Sequence, residues 1–225
     1  MIGFSCIAAP LAASPACAET RIGEAAVIQN QVLRIAGAAM SPINVGDQVV
    51  RDETVRTGNE SAARLVMIDS TNLSLGPNAT LTLDRTVFNG ETSYRDIAIR
   101  LGTGVFRFVT GHSEKAAYKI NTQLATIGVR GTILDIKSQR GQTMVVLQEG
   151  ASTVCTLTFQ CIQLTQPGDT AIVIATGGGK STIKKTNNPP WSFAASCAST
   201  AGLCTVTDLA SNTPGQDFTG ILCGR

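Results

Sequence analysis

The sequence predicts an all-β protein built from many short antiparallel strands, arranged as a sandwich or a solenoid-like stack. Three observations support this prediction. Apolar and polar residues alternate in short runs, turn-forming residues separate the runs at spacings of about 8 to 15 residues, and almost no segment shows the apolar period of a helix. An apolar share of 43% is ample for a core, which argues against a chain that is disordered throughout.

Short alternating runs supply the strands of the predicted domain, which extends from residue 19 to residue 175. The alternation is that of half-buried strands, and the clearest runs are residues 73–75, 81–83, 97–101, 105–108 and 134–136. Glycine, proline, asparagine and aspartate come between the runs, because these residues form tight turns. The turn segments are residues 45–47, 57–59, 76–78, 89–90, 102–104, 140–141, 149–150 and 167–169.

A linker and a tail are predicted to follow the domain. Residues 176–190 begin with a glycine run and end in Asn187-Asn-Pro-Pro190, a composition typical of a linker. Residues 191–225 are predicted to form an irregular C-terminal tail with one short helix near residues 206–210. We expect Trp191 to cover one end of the β core, and exposed docking to a partner is the alternative.

The first 18 residues are predicted to be a signal peptide. They contain no charged residue, and their apolar stretch ends in Ala16-Cys17-Ala18, a sequence typical of a signal-peptidase site. The positively charged start of such peptides is missing. A lipid anchor on Cys17 and a cytosolic location are the alternatives, and the lipid anchor is the weaker one because Ser14 and Pro15 replace the expected aliphatic and small residues. No apolar run reaches the roughly 18 to 20 residues of a membrane helix. We therefore expect a periplasmic or otherwise exported protein without an integral membrane segment in the mature chain.

Five of the seven cysteines lie in the C-terminal third of the chain. Cys155 and Cys161 belong to a segment that can form two strands with a tight connection, where a local disulfide fits. Cys197 and Cys204 are predicted to staple the tail, which has too few large apolar residues to form its own core. Cys223 is then the odd cysteine, either free or bonded to another chain.

The composition leaves few candidates for catalysis or cofactor binding. A net charge of +2 without charged runs does not predict the basic patch that binds nucleic acid. The single histidine, His112, and the absence of any C-x-x-C spacing disfavour a metal site. Ser113 and Glu114 follow His112, but adjacent residues on a turn point in different directions, which makes a hydrolase only a minor alternative. The sequence thus predicts a non-enzymatic protein without a cofactor.

A set of short motifs occurs between residues 32 and 151. In chain order they are Gly46-Asp47, Val55-Arg-Thr57-Gly58, Ala63-Arg-Leu65, Asp69-Ser70, Leu75-Gly76-Pro77-Asn78, Leu101-Gly-Thr-Gly104-Val105, Thr122-Gln-Leu-Ala-Thr126, Val129-Arg130-Gly131-Thr132 with Asp135, and Glu149-Gly150. In this order and combination they resemble the FecR domain, a periplasmic all-β module. The resemblance covers over half of the chain, and the order of the motifs is more specific than any one of them.

The resemblance implies an exported all-β module that binds other envelope components. In the best-known members, an anti-sigma segment and a transmembrane helix precede the domain, and the periplasmic part contacts an outer-membrane receptor. We find neither preceding part in this sequence, so the transcriptional role is not transferred.

The expected function is envelope signalling or regulation through protein–protein contacts. The expected partner is an envelope protein, such as an outer-membrane receptor or a secretion component, or a glycan. A structural envelope component that binds glycan or assembles with itself is the alternative function.

Most motif residues are predicted to have structural roles. Glycines stand where strands end and the backbone needs positive φ or close approach; they are Gly58, Gly76 and Gly131. Short polar side chains flank the same turns and can bond nearby backbone amides; they are Asp47, Asp69 and Asn78.

Arg130 has two predicted roles. Apolar neighbours surround it in sequence, so we expect a partly buried guanidinium paired with Asp135 or Glu149. The alternative role is an anchor for an anionic partner or ligand.

Overall fold

The structure, a computed structural model, describes residues 21–88, 94–113 and 118–196. Over these residues the chain is almost entirely β-strand, which confirms the predicted fold class. The predicted signal peptide, tail helix and Cys197, Cys204 and Cys223 lie outside the described residues. The elements are β1 (Arg21–Gln29), β2 (Val32–Ala36), β3 (Ala39–Pro42), β4 (Gln48–Val50), β5 (Thr54–Thr57), β6 (Ala62–Met67), β7 (Asn72–Leu75), β8 (Thr80–Phe88), β9 (Tyr94–Leu101), β10 (Gly104–Val109), β11 (Tyr118–Asn121), β12 (Ala125–Gln139), β13 (Gln142–Thr156), β14 (Cys161–Leu164), β15 (Thr170–Gly177), β16 (Lys180–Thr186) and α1 (Phe193–Ser196).

The strands form one curled, mixed sheet with the shape of a half-barrel. Its main path runs β3-β2-β5-β8-β9-β11-β12-β10-β7-β6-β1-β4. β13 pairs with β12, and it also pairs with β14 and β15; β16 then pairs with β15. Among the described pairs, only β9 and β11 run parallel. Antiparallel neighbours need only short turns, which explains the close spacing of turn residues in the sequence.

The largest apolar cluster of the described residues is built from side chains on one face of the sheet. Alternate side chains of most strands enter it, such as Ile97 and Ile99 of β9, which are fully buried. Phe108 and Tyr118 meet edge to face in this core, with ring centroids 5.1 Å apart. The alternation in the sequence therefore marks the side chains that build the core.

A β-bulge divides β12 into two halves whose side chains alternate out of phase. Before the bulge, Val129 faces the core and Arg130 is exposed. After the bulge, the even-numbered residues Leu134 and Ile136 face the core instead. One strand thus presents Arg130 and, further along, Asp135 on the side away from the core.

The last described residues pack on β10 and β12, on the side opposite the main apolar cluster. Phe193 in α1 is fully buried against Val105, and Trp191 packs against the same small apolar cluster. The Arg107 Cζ atom lies 5.0 Å from the centre of the Phe193 ring, and the Lys137 Nζ atom lies 5.9 Å from that of Trp191. Trp191 is consequently half-buried and offers little surface to a partner.

The predicted linker over residues 176–190 is wrong for most of its length. β15 extends to Gly177 and β16 begins at Lys180, so the glycine run is the turn of a hairpin. Residues 177–179 all have positive φ, which glycine adopts without steric strain. The glycines therefore reverse the chain inside the sheet, and the domain continues to Thr186.

Cys155 and Cys161 form the predicted disulfide. The two residues are register partners on β13 and β14, and their Cα atoms are 4.0 Å apart. The bond clamps this hairpin immediately before its connecting loop.

Asp169 fixes the turn that precedes β15. Its Oδ2 atom lies 2.7 Å from Lys185 Nζ and accepts hydrogen bonds from the backbone N–H groups of Thr165 (2.9 Å) and Gln166 (3.1 Å). The carboxylate is almost fully buried. The hydrogen bond from Lys185, with those from the two backbone N–H groups, lowers the pKa of Asp169 below its ordinary value.

Acid is expected to remove the stabilisation that Asp169 supplies. A carboxyl group whose pKa is lower in the folded state stabilises the fold above its unfolded pKa of about 3.9, and this contribution is lost as the pH falls through the folded pKa. Asp169→Asn is therefore expected to be less stable than the wild type at neutral pH, with the difference shrinking in acid. Urea unfolding over a pH series measures this; a difference that does not change with pH contradicts it.

Candidate functional site

Thr57 lies beneath the turn that joins β7 to β8, and it is buried. Its hydroxyl donates to the carbonyl oxygen of Gly76 at 2.7 Å and accepts from the N–H of Ala79 at 2.8 Å. Asn78 adopts a φ of 53° in the same turn and donates its N–H to the carbonyl oxygen of Gly58 at 3.0 Å. The structure thus brings the Thr57-Gly58 and Leu75-Gly76-Pro77-Asn78 motifs together as one turn support.

The turn between β3 and β4 contains Gly46 and Asp47. The Asp47 Oδ2 atom accepts a hydrogen bond from the N–H of Asn44 at 2.8 Å, and the Gly46 N–H donates to the carbonyl oxygen of Ala25 at 2.8 Å. These contacts hold the turn against β1.

Asp69 is fully buried and connects three parts of the fold. Its carboxylate accepts hydrogen bonds from the N–H and hydroxyl of Thr71, both at 3.0 Å, and from the hydroxyl of Tyr118 at 2.9 and 3.0 Å. The Thr71 hydroxyl in turn accepts from the N–H of Gly111 at 2.8 Å. This network ties the β6–β7 turn to β11 and to the loop after β10.

Gly150 and Gly131 meet where β12 bulges. Both have positive φ, and a Cβ atom on Gly150 would lie 1.9 Å from the carbonyl oxygen of Gly131. Thr132 follows in the bulge, and its N–H donates to the hydroxyl of Thr110 at 2.9 Å. Glu149 is exposed beside them. These motif residues shape the bulge that turns Arg130 outward.

A buried ion pair joins Arg107 of β10 to Asp135 of β12. The Arg107 Nε and Nη2 atoms donate to the two Asp135 oxygens at 2.5 and 2.8 Å, and Gln148 adds a third hydrogen bond at 2.9 Å. Arg107 and Asp135 are 4% and 0% exposed, and the Phe193 ring covers the guanidinium. The expected pairing of Arg130 with Asp135 is therefore wrong, because Asp135 is the register partner of Arg107.

The Arg130 face, as we call it, consists of outward-facing residues on four neighbouring strands. They are Lys119 on β11, Gly128 and Arg130 on β12, Thr153 on β13 and Gln163 on β14. Cross-strand register places Lys119 opposite Gly128, Gly128 opposite Thr153, and Thr153 opposite Gln163. Four of the five residues thus form one row across the sheet, and Arg130 lies two positions further along β12.

A groove of about 610 Å³ follows this row, and all five residues of the Arg130 face line it. Gly128 leaves its centre open, since a Cβ atom there would meet only the carbonyl oxygen of Thr153, at 3.9 Å. The neighbouring strands therefore form a shallow depression with a longer side chain at either side, Lys119 and Gln163.

The Arg130 face is cationic. Lys119 and Arg130 are exposed, and within the part of the chain that the structure describes neither side chain makes an ion pair or hydrogen bond. Glu149, the other carboxylate expected near Arg130, likewise makes no ion pair with a described residue. A guanidinium and an ammonium that are not neutralised can bind carboxylates, and the guanidinium can do so through two parallel hydrogen bonds.

The proposed hydrolytic residues lie in different environments. His112 is exposed and Ser113 is buried, whereas Glu114 lies outside the described residues. In the described ranges no group of three or more His, Cys, Asp or Glu side chains is placed to hold a metal ion. This loop offers less recognisable chemistry than the Arg130 face.

Residues 53–151 match the model of the family described as FecR protein. The chain contains a FecR domain. The match confirms the resemblance seen in the sequence over residues 53–151, which include Lys119, Gly128 and Arg130 of the Arg130 face, whereas the Gly46-Asp47 motif precedes the matched part. Thr153 and Gln163 follow the matched part of the FecR domain on β13 and β14. Among curated proteins, none matches this chain.

Two crystal structures of a candidate anti-sigma factor from Parabacteroides distasonis ATCC 8503, at 2.50 and 1.65 Å resolution, are similar in fold to the FecR domain protein. Their sequences are 17% and 18% identical to this chain, with TM-scores of 0.49 and 0.47. Each similarity covers 60% of this chain and 59% of the other. Within the described ranges, this chain has no helix of the length and apolarity needed to cross a membrane.

Proposed function

We propose that this protein is a regulatory protein of the bacterial cell envelope that binds another envelope protein through the Arg130 face. The proposal rests on the exposure of Arg130 within the FecR domain. No carboxylate of the described residues pairs with its guanidinium group. Such a group adds nothing to the core, whereas arginine is enriched at protein interfaces and recognises carboxylates. An acidic patch on a receptor or secretion component has the matching chemistry.

The proposed location is the periplasm or another exported compartment. The Cys155–Cys161 disulfide supports it, because disulfides persist in oxidising compartments and are rare in the cytosol. The predicted signal peptide at residues 1–18 agrees with the same location. In this account the FecR domain works by contact alone and performs no catalysis.

Arg130→Met is expected to weaken partner binding by about 10-fold or more without weakening the fold. The variant keeps the aliphatic bulk but removes the charge, and an exposed side chain without a partner changes stability by less than about 0.5 kcal/mol. Loss of an interfacial arginine anchor weakens binding by about 10-fold or more. Tagged wild-type and variant proteins can be compared by quantitative capture from envelope extracts, with urea unfolding as the measure of stability.

Arg140→Met is the matched control, because Arg140 is also an exposed arginine and lies beyond the far end of β12, in the β12–β13 turn. It removes the same charge and should leave capture unchanged. Equal capture by wild type and Arg130→Met, or equal loss in both variants, would contradict a specific role for the Arg130 face. Recovery of glycan without protein would contradict a protein partner.

A further inference from the structure

The loop that joins β13 to β14 presents two large apolar side chains to solvent. Leu157 is 55% exposed and Phe159 is 88% exposed, and the loop residues 157–160 carry no charge. We call these four residues the tip. Large apolar side chains in a soluble protein are seldom this exposed beside one another unless they contact something.

The tip is held rigidly. The Cys155–Cys161 disulfide closes its base, and the N–H of Phe159 donates to the carbonyl oxygen of Thr156 at 3.0 Å. The Thr156 hydroxyl accepts from the N–H of Gln160 at 3.1 Å and lies 3.0 Å from the hydroxyl of Thr158. The disulfide and these hydrogen bonds restrict the loop that displays Leu157 and Phe159.

Phe159 stands at a backbone position that does not suit it. Its φ of 62° lies in the left-handed region, which glycine and asparagine adopt readily and a bulky residue rarely does. Neither burial nor backbone preference explains a phenylalanine here, so folding stability alone does not account for the residue. Strain kept at an exposed position is a mark of functional sites.

The tip continues the Arg130 face. Two residues along from the row of Gly128, Thr126, Cys155 and Cys161 form the next row of the same alternation, and the tip follows directly. At about 3.3 Å per residue, Arg130 lies about 13 Å from Thr126 along β12. A typical interface of about 800 Å² per partner spans both features.

We propose that the tip docks into an apolar pocket of the same partner protein that binds the Arg130 face, with Phe159 as the anchor and Leu157 at the pocket wall. This contact rests on the proposed function, since one partner covers both surfaces. A rigid aromatic side chain loses little conformational freedom on binding, which makes it an effective anchor. A lipid membrane is the less favoured binding partner of the tip. Two apolar side chains give only marginal membrane binding, and their insertion into a bilayer does not need a particular backbone conformation.

Phe159→Asn tests the tip. Asparagine tolerates the left-handed conformation, so the melting temperature should stay the same or rise, whereas capture of the partner protein should fall about 10-fold or more. The double variant Cys155→Ser with Cys161→Ser keeps Phe159 but releases the loop, and it should bind more weakly than the wild type. Val45→Asn is the control, because Val45 is 64% exposed on a different turn and its loss should leave capture unchanged.

Three results would overturn the docking of the tip. The first is that Phe159→Asn captures as much partner protein as the wild type. The second is that the wild-type protein, but not Phe159→Asn, floats with phosphatidylethanolamine–phosphatidylglycerol vesicles, which would indicate lipid. The third is that light scattering shows dimers of the wild type but not of Phe159→Asn, which would indicate a second copy of this chain. If only Arg130→Met loses capture, the Arg130 face binds the partner protein and the tip does not contact it. If only Phe159→Asn loses capture, the tip binds the partner protein and the Arg130 face does not.

Discussion

Arg107→Met is expected to destabilise the domain by about 3–5 kcal/mol, because it leaves the fully buried Asp135 carboxylate without its cation. The change also removes the cation that lies over Phe193, so the C-terminal segment should detach from β10 more easily. Urea unfolding followed by circular dichroism measures the loss. The fluorescence of Trp191, the single tryptophan, reports the segment separately.

Arg130→Met is the natural comparison, since it removes an exposed arginine from the same sheet and should change stability by less than about 0.5 kcal/mol. The double variant Arg107→Met with Asp135→Leu removes both charges and should recover part of the loss. Equal stabilities of Arg107→Met and Arg130→Met would show that the Arg107–Asp135 pair does not hold β10 to β12.

Gly150→Ala is expected to prevent folding or to cost more than about 4 kcal/mol. The new methyl group would overlap the carbonyl oxygen of Gly131, at 1.9 Å, and this oxygen belongs to the backbone of the bulge and cannot move aside. The residue would also have to adopt a φ of +84°. Soluble yield and the urea midpoint are the measurements.

Gly141→Ala separates the effect of overlap from that of φ. Gly141 has nearly the same φ, +80°, but no atom lies within 4 Å of an added Cβ. The free energy of unfolding of this variant should fall by only about 1–2 kcal/mol, the cost of the left-handed backbone conformation for a residue with a Cβ atom. If both variants lose the same stability, the close approach of Gly150 to Gly131 does not shape the bulge.

The fold was predictable because the core follows local alternation. Side chains such as Leu73, Leu75, Leu81 and Leu83 repeat with a period of two, and in the structure they all face the same apolar cluster. Turn residues between the runs set the antiparallel connections. The order of motifs then identified the FecR domain, although each motif by itself is common.

The buried ion pair was not predictable, because it depends on register. Arg107 alternates with Phe106 and Phe108 and therefore has the pattern of a solvent-facing residue. It is buried because Asp135 of β12 pairs with it and the Phe193 ring of α1 lies over it, both of which are contacts between distant parts of the chain. The bulge at Gly131 likewise changed the phase of β12, so sequence neighbours could not decide whether Arg130 pairs with Asp135.

The linker prediction failed for a different reason. A glycine run has the same composition in a flexible linker and in a hairpin turn, and only the flanking strands distinguish the two. The alternation of Ser181 and Ile183 with lysines and threonine in β16 was the available signal. The exposure of Phe159 had no sequence signal, since an aromatic residue between two strands is usually buried.

Photo-crosslinking at residue 128 tests whether an envelope protein binds the Arg130 face. Gly128 lies at the open centre of the Arg130 face, so p-benzoylphenylalanine fits there in the full chain. Irradiation of producing cells should give one defined adduct with an envelope protein from position 128 and none from position 140. No adduct at position 128, or the same adducts at both positions, would contradict binding through the Arg130 face.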